Sequence, residues 1–158
     1  MTPHEMLKIV PAHLDDAPAI LAMQRLAFEP EALASRTREI PPLQETVDGI
    51  REHIRLATVL KATDGDRLLG SIRGVVTDGT CLIRVLVVAP EAQGRGLGTT
   101  LLKAIEDAHP QVERFELTTN MIMAGNVRFY LRHGYALVEQ AQVAPTIRLA
   151  FMRKVQRG

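Results

Sequence analysis

The sequence predicts a mixed α/β (α+β) fold, in which a central sheet of six to seven strands is flanked by about four helices. Three observations carry that prediction. Strand-like and helix-like segments alternate along 158 residues, with no repeat, low-complexity tract or linker between them. Cys81-Leu-Ile-Arg-Val-Leu-Val-Val88 is β-branched and apolar apart from Arg84, as befits a central strand covered on both faces. Near the C-terminus Ile147, Leu149 and Phe151 alternate with Arg148, Ala150 and Met152, the period of a half-exposed antiparallel strand.

Residues 7–10 read as a first strand. Asp15 or Asp16 then offers an N-cap, and Ile20, Met23 and Ala27 follow at helical spacing. Pro30 and the Pro41–Pro42 pair bracket a stretch expected to be irregular. Leu43, Val47, Ile50 and Ile54 predict a second helix. Residues 58–62 and 68–76 read as strands joined through Asp64–Gly65, and Asp78–Gly79 turns the chain into the strand 81–88. A glycine loop follows, then a helix with Leu97, Leu101, Ile105 and Ala108 on one face. Residues 115–119 form another strand, and 126–133 a short helix ended by Gly134. Residues 135–143 and 146–155 make a final pair of strands.

The length suits one domain spanning residues 1–158 with a core large enough to need no disulfide or metal. Hydrophobic residues are 46% of the chain and charged residues 23%, ordinary values for a globular protein. With no bilayer-length apolar run and no leader pattern, a cytoplasmic protein without membrane contact is expected. A net charge of +1, no tryptophan and 4% aromatics argue against a nucleic-acid partner. Cys81 is alone, so an internal disulfide and a CxxC site are both excluded, and the five histidines form no ligand-spaced pair; no metal is expected.

The informative segment is Arg84-Val-Leu-Val-Val-Ala-Pro-Glu-Ala-Gln-Gly-Arg-Gly-Leu-Gly98. Gly94, Gly96 and Gly98 let consecutive amides turn inward, and the helix that follows brings free N–H groups and the positive end of its dipole to one point. Such a loop binds phosphate, with Thr99 and Thr100 offering hydroxyls. A P-loop does not fit because no lysine follows the glycines until Lys103, and the glycines fall as GxGxG rather than as the dinucleotide GxGxxG.

Gln93-Gly94-Arg95-Gly96-Leu97-Gly98 resembles the Q/R-x-x-G-x-G/A pyrophosphate loop of the GCN5-related N-acetyltransferase (GNAT) family. Asn126-Val-Arg-Phe-Tyr-Leu-Arg-His-Gly-Tyr135 resembles that family's Asn-x-x-x-x-Tyr-x-x-x-Gly-Phe/Tyr segment, and Arg67-Leu-Leu-Gly-Ser-Ile-Arg-Gly74 its third strand. The resemblance spans about the whole chain.

It implies the GNAT fold, with a splay between the fourth and fifth strands, and acetyl-CoA as cosubstrate. By position, the backbone of Leu86 would face the thioester carbonyl, and that of Val87 and Val88 would flank the pantetheine arm. Gln93, Gly94, Arg95, Gly96, Leu97, Gly98 and Thr99 would hold the pyrophosphate; the plainer alternative is a tight strand–helix turn. Tyr130 would protonate the departing thiolate, or else pack in the core. Asn126 would bond the cofactor or cap its helix.

The implied activity is direct acetyl transfer, through a ternary complex, to a primary amine of a small molecule or peptide. The alternative is a catalytically weak CoA-binding sensor of the same fold. A homodimer is compatible with the resemblance, though the sequence shows no seam for one. Where the family often has a Glu or His base, this chain has Arg84, which cannot accept a proton. Arg84 would meet an acceptor carboxylate or pair with a carboxylate such as Glu116. Glu39, His53, Glu116 and His133 are nominal bases, and Glu39 and Asn120 are substrate candidates. Residues 28–43 and 140–145 match variable substrate walls. Cys81 lies about 23 Å before Val88 along an extended strand, too far for an acyl-enzyme.

Overall fold

The computed structural model describes residues 7–156, so His4 and Met6 lie outside the described residues. In chain order the elements are β1 (Leu7–Pro11), α1 (Ala17–Ala27), α2 (Glu29–Ser35), α3 (Pro41–Gln44), α4 (Val47–Leu56), β2 (Thr58–Asp64), β3 (Arg67–Thr77) and β4 (Thr80–Val88). Then come α5 (Leu97–Asp107), β5 (Arg114–Asn120), α6 (Ala124–Arg132), β6 (Ala136–Ala144) and β7 (Ile147–Val155). The seven strands form one sheet in the order β1-β2-β3-β4-β5-β7-β6. Neighbours are antiparallel except β4 and β5, which run parallel.

Two departures from the sequence reading fall in the same region. The stretch after Pro30 is helical, because proline in a first turn forfeits no hydrogen bond and has its φ already set. The helix expected over 43–54 is two helices. Thr46 breaks it by acting as N-cap of α4, its hydroxyl accepting from the Gly49 N–H at 3.0 Å.

The sheet is covered on both faces. Leu101, Leu102 and Ile105 of α5 are completely buried against β3 and β4. This close approach needs glycine on β3. A Cβ at Gly70 would lie 2.8 Å from Leu101 and 2.9 Å from the Val87 carbonyl, and one at Gly74 would lie 2.9 Å from the Cys81 sulfur and 3.1 Å from Ile105. On the opposite face α1 and α4 pack Ile20, Leu21 and Ile50 over Val59. A third cluster, Ala32, Ile40 and Ile147, ties α2 to the start of β7.

The sheet opens in its middle. β4 pairs with β5 only at Thr80↔Arg114, Cys81↔Phe115 and Leu82↔Glu116, while β5 stays paired with β7 over its whole length. Beyond Leu82 the two parallel strands part. A bulge in β4 accompanies the opening. From Ser71↔Val87 to Arg73↔Arg84 the ladder takes two steps along β3 and three along β4, and Val85 sits at φ 46°. A left-handed backbone at a β-branched residue is strained, and bulges of this kind bend the strand that carries them.

Candidate active site

The gap between β4 and β5 widens into a cleft of about 1690 Å³. One end lies over the glycine loop; the other is walled by α2, the α3–α4 junction and the β6–β7 hairpin.

At the loop end, Gly94 (φ 82°) and Gly96 (φ 79°) both use the left-handed region that favours glycine. Gly96 is the residue before α5, and the Thr100 N–H closes the first helical bond to its carbonyl at 3.1 Å. The amides of Leu97, Gly98 and Thr99 therefore lie in the first turn, where a helix cannot satisfy them. A Cβ at Gly94 or Gly96 would meet nothing within 4 Å, so the space before these amides is open. Arg95 is exposed at the tip, while Leu97 is buried and anchors the loop to the core. A hollow of about 310 Å³ here is lined also by Phe129 and Arg132 of α6.

Three side chains at the loop have partners within the protein. The hydroxyls of Thr99 and Thr100 are engaged within the protein, the first with His133 Nε2 at 3.1 Å and the second donating to the Gly96 carbonyl at 3.1 Å. Gln93 folds back onto the strand, donating from Nε2 to the Val88 carbonyl at 3.1 Å.

Tyr130 comes from α6 and lines the cleft, its ring edge-on to Phe129 and to Tyr135 at centroid distances of 5.1 and 5.8 Å. Its hydroxyl makes no hydrogen bond to the described residues, and burial pushes its pKa up to about 12, so it stays protonated. The ring thus packs in the core as one reading of the sequence expected, while the hydroxyl stays without a partner among the described residues. Asn126 lines the cleft one turn earlier. It is not a helix cap, because α6 starts at Ala124 and its cap position falls on Met123. Leu86, Val87 and Val88 line the β4 side, with the Val87 side chain buried in the core.

At the far end Arg84 is exposed and lines the cleft. It makes no ion pair among the described residues. The Glu116 carboxylate is instead held by Arg153 at 2.7 Å and Arg114 at 3.6 Å. Glu39 lines the cleft and is exposed. Asn120 is buried and committed to structure, donating to Ser35 Oγ at 3.0 Å and Glu31 Oε2 at 3.4 Å and accepting from the Ile122 N–H at 3.2 Å. The carboxyl it presents is Glu31, whose pKa burial raises against the opposing Asn120 bond. Sequence reasoning missed Glu31, Glu45 and Arg73, which all line this end. The available signal was Arg73, a charge within an otherwise apolar strand.

Cys81 is fully buried on the α5 side, 3.8 Å from His109 Nδ1, and burial pushes its pKa up to about 11. Among the described residues no three His, Cys, Asp or Glu side chains are grouped to hold a metal, and no helix is long and apolar enough to cross a membrane.

The mixed sheet thus opens at its parallel pair ahead of a glycine-rich helix start. The model of the acetyltransferase (GNAT) family matches residues 19–135, and the chain belongs to that family. Among solved structures it is similar to the ribosomal-protein-S18-alanine N-acetyltransferase of Escherichia coli (15% identity, 97% of this chain and 96% of that one, TM-score 0.79). It is also similar to the PaiA N-acetyltransferase of Thermoplasma acidophilum in complex with coenzyme A (16%, 94% and 98%, TM-score 0.76). The spermidine N-acetyltransferase of Vibrio cholerae, in complex with CoA and spermine, is a third (16%, 96% and 96%, TM-score 0.72). No curated protein sequence matches the chain significantly.

Proposed function

We propose that the protein is an acetyl-CoA-dependent N-acetyltransferase that moves the acetyl group directly to a primary amine of a small molecule or peptide. The observation that carries this reading is the shared cleft. The open β4 edge, the first-turn amides of α5 and the free Tyr130 hydroxyl all border one space. Acetyl-CoA supplies the activated thioester.

The loop residues fit its pyrophosphate, because the space before Gly94 and Gly96 is open and the α5 dipole favours an anion there. With a net charge of only +1, local amides and Arg132 do this work rather than a broad basic field. The backbone of Leu86 and Val88, unpaired toward β5, lies along the cleft to receive the pantetheine amides and the thioester carbonyl. An N–H aimed at that carbonyl would steady the charge developing on its oxygen. Tyr130, fully protonated at neutral pH, donates its proton to the departing thiolate. Direct transfer is favoured over an acyl-enzyme because the Cys81 thiol is sealed beneath α5 and held protonated.

The test is release of CoA thiol across a panel of amines, with small polyamines, amino acids and peptide amino termini as separate arms. Turnover with any arm supports the reading. Tight CoA binding with no turnover on any arm would replace it by a CoA-binding sensor.

A further inference from the structure

Gly74 turns its Cα face toward Ile105 of α5, so the adjacent Arg73 projects from the opposite face of β3, toward α1 and the α3–α4 junction. There the Arg73 guanidinium, 1% exposed, donates from Nη1 to Glu45 Oε2 at 2.6 Å and from Nη2 to Gln24 Oε1. Gln24 in turn donates to Glu45 Oε1 at 2.8 Å. The Glu45 carboxylate is thus clamped on both oxygens, and Oε2 lies 3.6 Å from Nε2 of His53 on α4. The His53 side chain is 36% exposed and lines the cleft, as do Glu45, Arg73 and Arg84. Arg84 stands directly opposite Arg73 in the ladder and leaves the sheet on the same face.

We propose that His53 is the general base of this enzyme, positioned by Glu45, which Arg73 and Gln24 hold in place. The inference rests on the acetyltransferase reading above. A fixed carboxylate 3.6 Å from Nε2 favours the proton on that nitrogen by charge attraction, which leaves the Nδ1 lone pair to accept. Nδ1 takes one proton from the acceptor ammonium. The freed nitrogen lone pair forms the C–N bond as the C–S bond breaks. The second nitrogen proton leaves to solvent after the C–N bond forms, and Tyr130 regains from solvent the proton it gave to the thiolate. His53 returns its own proton to solvent across its exposed edge.

The charges facing His53 are Glu45 from the α3–α4 junction, Arg73 from β3, Arg84 from β4 and Glu52 from its own helix. Burial first, then Arg73 and Arg84, hold its pKa below the usual histidine value against the pull of the two glutamates, so the ring is neutral and able to accept at pH 7. Two other carboxyls of the cleft are engaged: Glu116 is paired with two arginines, and Glu31 is hydrogen-bonded by Asn120.

The experiment is kcat/KM against pH with the best amine of the panel, for wild type, His53→Gln, Glu45→Gln and Glu31→Gln. Wild type should show an acidic limb. His53→Gln should lose about a hundredfold at pH 7 and erase that limb. Glu45→Gln should move the limb to lower pH, since a negative charge that favours imidazolium is gone. Glu31→Gln should retain it. A His53→Gln enzyme within threefold of wild type, or a limb erased by Glu31→Gln, overturns the proposal. Ring-nitrogen NMR gives a readout independent of turnover. His53 should be neutral at pH 7 with its proton on Nε2, and a proton on Nδ1 or a charged ring would count against the base. A wild-type protein that turns over no amine sinks the acetyltransferase reading and the base with it; turnover unimpaired by His53→Gln sinks His53 alone.

Discussion

Arg73 and Arg84 are directly opposed across the β3–β4 ladder, yet the first is buried in a clamp of Glu45 and Gln24 while the second stands exposed in the cleft without an ion-pair partner among the described residues. Like charges directly opposite on a sheet repel. Here the repulsion is relieved by neutralising one guanidinium inside the protein and leaving the other to solvent. One arginine therefore belongs to the architecture, and the other is left facing the cleft.

The buried pair predicts a large stability effect from a modest change. Glu45→Ala leaves the Arg73 charge buried without its carboxylate and should destabilise the protein by about 3 kcal/mol or more. Adding Arg73→Met should recover over half of that loss. Urea unfolding of the single and double variants decides it, and a double variant no more stable than Glu45→Ala would contradict this account.

Arg84→Met should change stability by less than about 0.5 kcal/mol, since Arg84 is exposed and has no ion-pair partner among the described residues. Its effect belongs in the acceptor: KM for amines that also carry a carboxylate should rise, while neutral and cationic amines are spared. Equal losses across the panel would remove Arg84 from acceptor recognition.

Tyr130→Phe should lower kcat about tenfold or more with CoA binding retained, because it deletes the proton donor and keeps the ring that packs on Phe129 and Tyr135. Steady-state kinetics beside CoA titration calorimetry measure the two halves. An undiminished kcat would reduce Tyr130 to packing.

Gly96→Ala should weaken CoA binding about tenfold, by straining a backbone at φ 79° and placing a methyl in front of the first-turn amides. Gly65→Ala is the control. It too has positive φ, at 61°, so both should lose about 1 kcal/mol of stability, but only the loop variant should lose affinity.

Both tyrosines predict alkaline instability. Burial raises the Tyr130 pKa to about 12, and burial followed by the hydrogen bond to Glu106, 2.7 Å away, raises that of Tyr135 further. A folded-state pKa above the unfolded value of about 10 gives stability that is complete below pH 10 and lost as pH climbs through the folded pKa. The urea midpoint should fall from about pH 10 upward, and less steeply in Tyr135→Phe. A flat midpoint through pH 11.5 would contradict it.

Much of the molecule was legible from local pattern. Periodicity located the seven strands and the helices of residues 17–27 and 97–107, and glycine spacing placed the loop at the start of α5. Pro30 misled because its meaning depends on position: it breaks a helix interior but opens α2. The two-helix break at Thr46 was hidden for the same reason, since the apolar spacing across it stayed helical.

By itself, then, the sequence determined the element order, the glycine loop at the start of α5 and the helix that carries Tyr130, because each is written within one turn or one strand. Only the tertiary structure decided the bulge at Val85, where β4 leaves β5, and which charged groups face each other in the cleft. The Arg73–Glu45 and Arg73–Gln24 contacts join residues 28 and 49 positions apart, and Asn120 reaches Ser35 across 85. No local period encodes such meetings. They follow from which faces the packed helices cover, and they turn scattered polar residues into one wall of the cleft.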